Sequence, residues 1–116
     1  MFMVYRFLRP SERELINAML SSNPAGVDLA ANLEVRQITD MQDGGMGSIR
    51  FLSADRSIRK FGKQIAATEY IDEDGVLVSI TINTDNQGDL FEVDFWKTDF
   101  SVLRRYPNPL DLKSDI

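Results

Sequence analysis

Cysteine and histidine are absent from the 116 residues, and a wide range of chemistry goes with them. No disulfide, thiolate nucleophile or Cys/His zinc site can form, and neither a Ser-His-Asp nor a Cys-His constellation can be assembled. Histidine-based pH switching is closed as well. Basic charge is scarce: 13 Lys and Arg stand against 18 Asp and Glu, a formal net charge of -5. Binding to duplex DNA by counterion release needs clustered Lys and Arg, so no nucleic acid is expected as a partner. No apolar run approaches the roughly 20 residues that span a bilayer. The opening Met1-Phe2-Met3-Val4-Tyr5 meets Arg6 at once, without the basic n-region or cleavage site of a signal peptide. A cytoplasmic location with no membrane contact is therefore expected, and the lack of cysteine agrees with a reducing compartment. What is present is ordinary: 43% hydrophobic and 27% charged residues suffice for one small globular domain over residues 1–116 with a single core.

Pro10-Ser11-Glu12-Arg13-Glu14 predicts a helix start, with Ser11 as its cap and Glu14 completing a capping box. Leu15, Ile16, Met19 and Leu20 follow at helical spacing and mark the buried stripe. The Pro- and Gly-containing run from Ser21 to Gly26 predicts the end of that helix, and Val27 to Asn32 a short second one. From Leu33 onward the pattern becomes strands and turns. The predicted strands are Glu34 to Thr39, Ser48 to Leu52, Ile65 to Tyr70, Val76 to Asn83 and Leu90 to Trp96, with Gly-bearing turns at Gly44, Gly75 and Gly88. The predicted fold class is α+β: an N-terminal helix packed on a four- to five-stranded antiparallel meander sheet. Residues 104–116, beginning Arg104-Arg105-Tyr106-Pro107-Asn108-Pro109, read as an irregular C-terminal extension lying on the surface.

Charge is spread unevenly. Residues 50–63 hold Arg50, Arg56, Arg59, Lys60 and Lys63 against Asp55, a local +4, whereas residues 69–99 hold nine acids against Lys97, a local -8. In the last strand Phe91, Val93 and Phe95 alternate with Glu92, Asp94 and Trp96, so Glu92 and Asp94 share the non-core face with the single tryptophan. Asp74, Asp85 and Asp99 fall near the ends of that hairpin. One reading is a solvated sheet face whose carboxylates discourage edge aggregation and pair with Lys60 and Lys63. The sharper one is a docking surface for a basic protein partner, with Trp96 as anchor and Glu92, Asp94 and Asp99 steering the encounter. No metal site is expected, because the spacing of these acids matches no EF-hand loop.

Asp43-Gly44-Gly45-Met46-Gly47-Ser48 is the most unusual local string, since three glycines in four residues can present consecutive amides to an anion. It is neither a Walker loop nor a dinucleotide-binding turn. A tight hairpin with close backbone approach is the plainer explanation. Carboxylates can act as acid and base without histidine, and Asp40, Asp43, Glu92 and Asp94 are available, with Arg50 as the cation near the glycine loop. Ser48, Ser79 and Tyr70 lack an activating histidine, and Lys97 would serve as a base only if buried and neutral. No catalytic residue and no cofactor is assigned on these grounds, and the balance is against an enzyme.

Three strings, Asp40-Met41-Gln42-Asp43-Gly44-Gly45-Met46-Gly47-Ser48, Asp72-Glu73-Asp74-Gly75-Val76 and Phe91-Glu92-Val93-Asp94-Phe95-Trp96-Lys97-Thr98-Asp99-Phe100, carry a resemblance that spans most of the chain. With them the sequence resembles a small bacterial family of single-domain proteins of unknown function. The resemblance implies a bacterial cytoplasmic protein and supplies no catalytic residue. In size, charge and style the chain is also similar to the immunity proteins that neutralise basic bacterial toxins, an analogy rather than a motif match. The expected function is a non-catalytic acidic protein-binding module, immunity-like, with Trp96, Glu92, Asp94 and Asp99 at its surface. The alternative is a small ligand-binding or hydrolytic domain built on Asp40, Asp43 and the glycine loop with Arg50. Self-association as a homodimer through a sheet edge or Trp96 is a third.

Overall fold

A computed structural model describes residues 4–21, 23–53 and 58–113. Its elements run β1 (Arg6–Phe7), α1 (Pro10–Leu20), α2 (Pro24–Leu29), β2 (Gln37–Asp40), β3 (Ile49–Phe51), β4 (Phe61–Ile71), β5 (Leu77–Asp85) and β6 (Leu90–Lys97), with single 3₁₀ turns at Leu33–Val35 and Pro109–Asp111.

Helix α1 begins one residue before the expected cap. Pro10 takes the first helical position, and Arg9 before it is extended, as a residue preceding proline prefers. The N-cap is Arg9 rather than Ser11, and Glu12 at the third helical position, not Glu14, reaches back to it: its Oε1 accepts the Arg9 N–H at 2.6 Å. The predicted stripe is the buried one, with Leu15, Ile16 and Leu20 fully enclosed. The run expected to be a plain break holds the start of α2, because Pro24 again sits at a first turn, where its missing N–H is no loss. Asn23 supports it by accepting the Gly26 N–H at 3.4 Å and donating from its amide to the Ile65 carbonyl at 3.0 Å.

Among the described residues six strands form one antiparallel sheet in the order β1-β2-β3-β6-β5-β4. The strand count and the simple meander therefore need correction. Two three-stranded meanders are joined by β3 pairing with β6, and the chain leaves β3 in mid-sheet to re-enter at the edge strand β4. The additional strand is β1, two residues long and so without any period-2 signature. Strand β4 starts earlier than expected and meets β5 through two register shifts. Gly62 makes the first of these feasible, since a Cβ there would lie 2.1 Å from the Asp85 carbonyl oxygen.

Alternation sorts the sheet into two faces. Val78, Ile80, Ile82, Val93 and Phe95 join the stripe of α1 in one core cluster, each fully buried aliphatic side chain contributing about 1.5–3 kcal/mol. The segment after β6 folds onto the same side: the Tyr106 ring packs 5.5 Å from that of Phe95, and the Tyr70 hydroxyl donates to the Arg105 carbonyl at 2.8 Å. Further on, the Lys113 N–H donates to the Glu69 carbonyl on the β4 edge at 2.9 Å. The opposite face carries Arg50, Glu92, Asp94 and Trp96, with Ser79, Thr81 and Asn83 beside them in register.

Candidate functional site

Strand β6 positions the candidate side chains. Val93 and Phe95 enter the core, so Glu92, Asp94 and Trp96 emerge together on the other face, as the alternation predicts. Phe91, expected on the core side, is instead buried outside the core cluster with the guanidinium groups of Arg50 and Arg59 over its ring, and Leu90 enters the core where the register shifts opposite Asn83 and Thr84. Trp96 opposes Ser79 and is 51% exposed. Its ring lies 6.2 Å from that of Phe100, which is 69% exposed. Phe100 is a residue that sequence reasoning missed as a surface group, and its backbone is unusual: φ is +62°, in the left-handed region that a bulky L-residue avoids. The turn that holds it there is well tied. The Phe100 N–H donates to the Lys97 carbonyl at 2.8 Å, while Asp99 Oδ1 accepts the Ser101 N–H at 3.0 Å and its hydroxyl at 2.6 Å. Those Ser101 bonds hold the exposed Asp99 carboxyl below its usual range.

The carboxylates differ sharply in what they touch. Glu92 pairs with Arg50 across the β3–β6 seam at 2.6 Å, and the guanidinium lies over the Phe91 ring. Asp94 is partly buried and accepts a hydrogen bond from the Asn83 amide at 2.8 Å. Burial, with Glu92 beside it, pushes its pKa up to about 6 against the pull of Asn83 and Arg50. Among the described residues the acids of residues 69–99 pair with Arg36, Arg50, Arg59, Lys97, Arg104 and Lys113, not with Lys60 or Lys63. Of the local basic run, Arg56 lies outside the described residues, and Arg59 is turned inward to Asp85 at 2.9 Å and to the Leu90 carbonyl at 2.7 Å.

The residues of the ligand-binding alternative are separately engaged. Asp40 lies on the helix side, 2.8 Å from Arg6, which also forks onto the buried Glu12. Asp43 folds back on its own loop, accepting the N–H groups of Met46 at 3.1 Å and Ser48 at 2.8 Å. That carboxylate is the anion the glycine loop holds: Gly44, Gly45 and Gly47 all have positive φ, and two of the loop amides point at Asp43. Arg50 is spent on Glu92. No group of three or more Asp or Glu among the described residues is arranged to hold a metal ion.

Lys97 is buried, as a basic catalyst would need, but it is not neutral. Burial works to lower its pKa, and the Asp74 and Asp72 carboxylates at 2.6 and 2.9 Å more than reverse that. With its third donor on the Val102 carbonyl at 3.0 Å, the ammonium is saturated and structural.

Residues 5–107 match a family described as a domain of unknown function, DUF6984. The chain belongs to the DUF6984 family. The match takes in both helices and all six strands, so the exposed face around Trp96 lies inside the DUF6984 region. No curated protein and no solved structure matches the chain. No helix among the described residues is long and apolar enough to cross a membrane.

Proposed function

We propose that this DUF6984 domain is a non-catalytic protein-binding module of the bacterial cytoplasm, immunity-like, that docks a basic partner on the sheet face opposite its helices. The observation that carries the reading is the Trp96–Phe100 pair. Two large rings stand exposed side by side, one of them on a strained backbone that the fold maintains at a cost. Aromatic anchors of this kind are over-represented where binding energy concentrates. Charge complementarity supplies the partner's sign: Asp94 and Asp99 flank the rings in a chain of net charge -5, so a basic surface is attracted and an acidic one repelled.

The test is selection from a random peptide display library by the immobilised domain, with the Trp96→Ala variant as counter-selection. The expected outcome is enrichment of net-positive peptides whose binding weakens as salt is raised and is lost with Trp96→Ala. The single tryptophan reports each interaction directly through its fluorescence. No enrichment, enrichment of neutral or acidic peptides, or equal retention by Trp96→Ala overturns the reading. So does sedimentation showing a concentration-dependent dimer that Trp96→Ala abolishes, because the face would then belong to a second copy of the chain.

A further inference from the structure

Among the described residues the buried carboxylates, and the partly buried ones other than Asp43 and Asp94, come with a cation, and Asp43 is instead held by the N–H groups of Met46 and Ser48. Glu12 has Arg6, Asp72 has Lys97, Asp85 has Arg59 and Glu92 has Arg50. Among the described residues Asp94 has neither a cation of its own nor such a pair of backbone donors. It is partly buried, it takes a hydrogen bond from the Asn83 amide, and among the described residues no Lys or Arg forms an ion pair with it. Arg50 cannot be the missing partner in this arrangement, since Nε and Nη2 both donate to Glu92, at 3.2 and 2.6 Å, and the guanidinium lies over Phe91. The other charged groups acting on Asp94 are Glu92 and Asp43, both acidic. A carboxylate that is desolvated, faces other acids and lacks an ion-pair partner of its own is unfavourable in the free protein.

The same face supplies a second wall. Trp96 stands two residues along β6 from Asp94, about 7 Å at the rise of a strand, with its indole half exposed. Of the cations a protein can offer, a guanidinium suits both groups at once: its plane stacks on an indole while its N–H fork donates to a carboxylate. An ammonium is a compact point charge with no plane to stack.

We propose that Asp94 and Trp96 form a subsite for an arginine side chain of a basic partner, the guanidinium stacked on the indole and donating to the Asp94 carboxylate. The subsite rests on the docking reading above and narrows it from basic partners in general to an arginine at a defined position.

The experiment titrates the wild-type domain with acetyl-arginine amide, acetyl-lysine amide and the uncharged acetyl-citrulline amide at matched ionic strength. Trp96 fluorescence and the carboxyl carbon resonance of Asp94 are followed together. The arginine compound is expected to perturb the indole and to lower the pH at which Asp94 titrates, by about one pH unit for each tenfold preference for the ionised carboxylate. The lysine compound should act more weakly and the citrulline compound not at all. Asp94→Asn, nearly the same shape and still able to accept from Asn83, should abolish the response to arginine.

A titration midpoint unmoved by saturating arginine compound, or moved equally by citrulline, overturns the subsite without any variant having to fold. Basic peptides that bind Asp94→Asn as well as wild type also overturn it, while leaving the docking reading in place. If no basic peptide is selected at all, both fall together.

Discussion

The Lys97 ammonium lies 2.9 Å from the Asp72 carboxylate, and neither side chain has exposed surface. Strand alternation turns Lys97 toward the core side, opposite in sense to Asp94 and Trp96. There the pair fastens three parts of the chain. Asp72 opens the β4–β5 turn and accepts the Glu73, Arg104 and Arg105 N–H groups at 2.7, 2.9 and 3.0 Å, while Lys97 ends β6 and donates to Val102. Removing one partner of a buried pair leaves the other charge uncompensated, which costs far more than the pair is worth against an apolar substitute. Lys97→Met is therefore expected to shift the folding equilibrium roughly a hundredfold or more toward the unfolded chain. Urea unfolding measures it, and a midpoint equal to wild type would show that the ammonium contributes no stability.

Acid should act through the same carboxylate. Burial alone would raise the pKa of Asp72, but the Arg104 N–H, Lys97 and the further backbone donors bring it down to about 2 from an ordinary 3.8. A depressed pKa means that the folded state holds the ionised form, so its contribution is complete above the unfolded value and is lost as pH falls through the folded one. Unfolding followed by circular dichroism should show stability falling between about pH 4 and pH 2 through this group. The slope should shrink in Asp72→Asn, whatever that variant's absolute stability; an unchanged slope would assign the acid sensitivity elsewhere.

Asp94 carries the opposite sign. Its folded pKa is raised to about 6, so its contribution is complete below the unfolded value and is lost as pH rises through the folded one. Asp94→Asn should accordingly stabilise the domain at pH 7.5 by about 1 kcal/mol, the shift being discounted for solvent screening at a partly open site. The gain should vanish near pH 4. Thermal unfolding of the two proteins across that range tests it, and a pH-independent difference would show that Asp94 is not held in an unfavourable charged state.

How far these relationships were legible depended on whether they leave a periodic trace. The stripe Leu15, Ile16, Met19, Leu20 and the alternation of Glu92, Asp94 and Trp96 against Val93 and Phe95 are repeats of local geometry, and both are found where the sequence places them. The same alternation assigned a face to Trp96 but said nothing of its exposure, which depends on whether distant segments cover it. Strand β1 is two residues long and is held by Arg6 between Glu12 and Asp40, 34 residues away. The β3–β6 seam that turns two meanders into one sheet is likewise non-local, as are Lys97 with Asp72 and Tyr106 on Phe95. Nothing local distinguishes Gly62 from other glycines, because what demands it is the Asp85 carbonyl brought against it from the neighbouring strand.

That glycine yields a sharp expectation. A Cβ at position 62 would meet the Asp85 carbonyl oxygen at 2.1 Å and the Thr84 oxygen at 3.1 Å. Asp85 has little freedom to withdraw, because its side chain is held by Arg59 and by the N–H groups of Gln87 and Asp89. Gly62→Ala should destabilise the domain by about 3 kcal/mol, at the upper end for overpacking. A loss below about 1 kcal/mol in urea would show that the β4 edge can shift away from β5.

Phe100 separates what the fold needs from what it keeps available. At a φ of +62° a non-glycine residue bears about 1–2 kcal/mol of backbone strain, yet the ring is 69% exposed and has Trp96 as its aromatic neighbour. Glycine relieves that strain but is more flexible when unfolded, which returns part of the gain. Phe100→Gly should thus leave stability unchanged or raise it by up to about 1 kcal/mol, and Phe100→Ala, which keeps the strain and loses the ring, should be about 1 kcal/mol less stable than the glycine variant. Basic peptides selected by the wild-type domain should bind both variants roughly tenfold more weakly. Stability retained while binding is lost would mark the ring as one held for a partner. A glycine variant that loses more than about 2 kcal/mol would mean instead that Phe100 is part of what holds the sheet end together, and the aromatic pair would then be structural rather than an anchor.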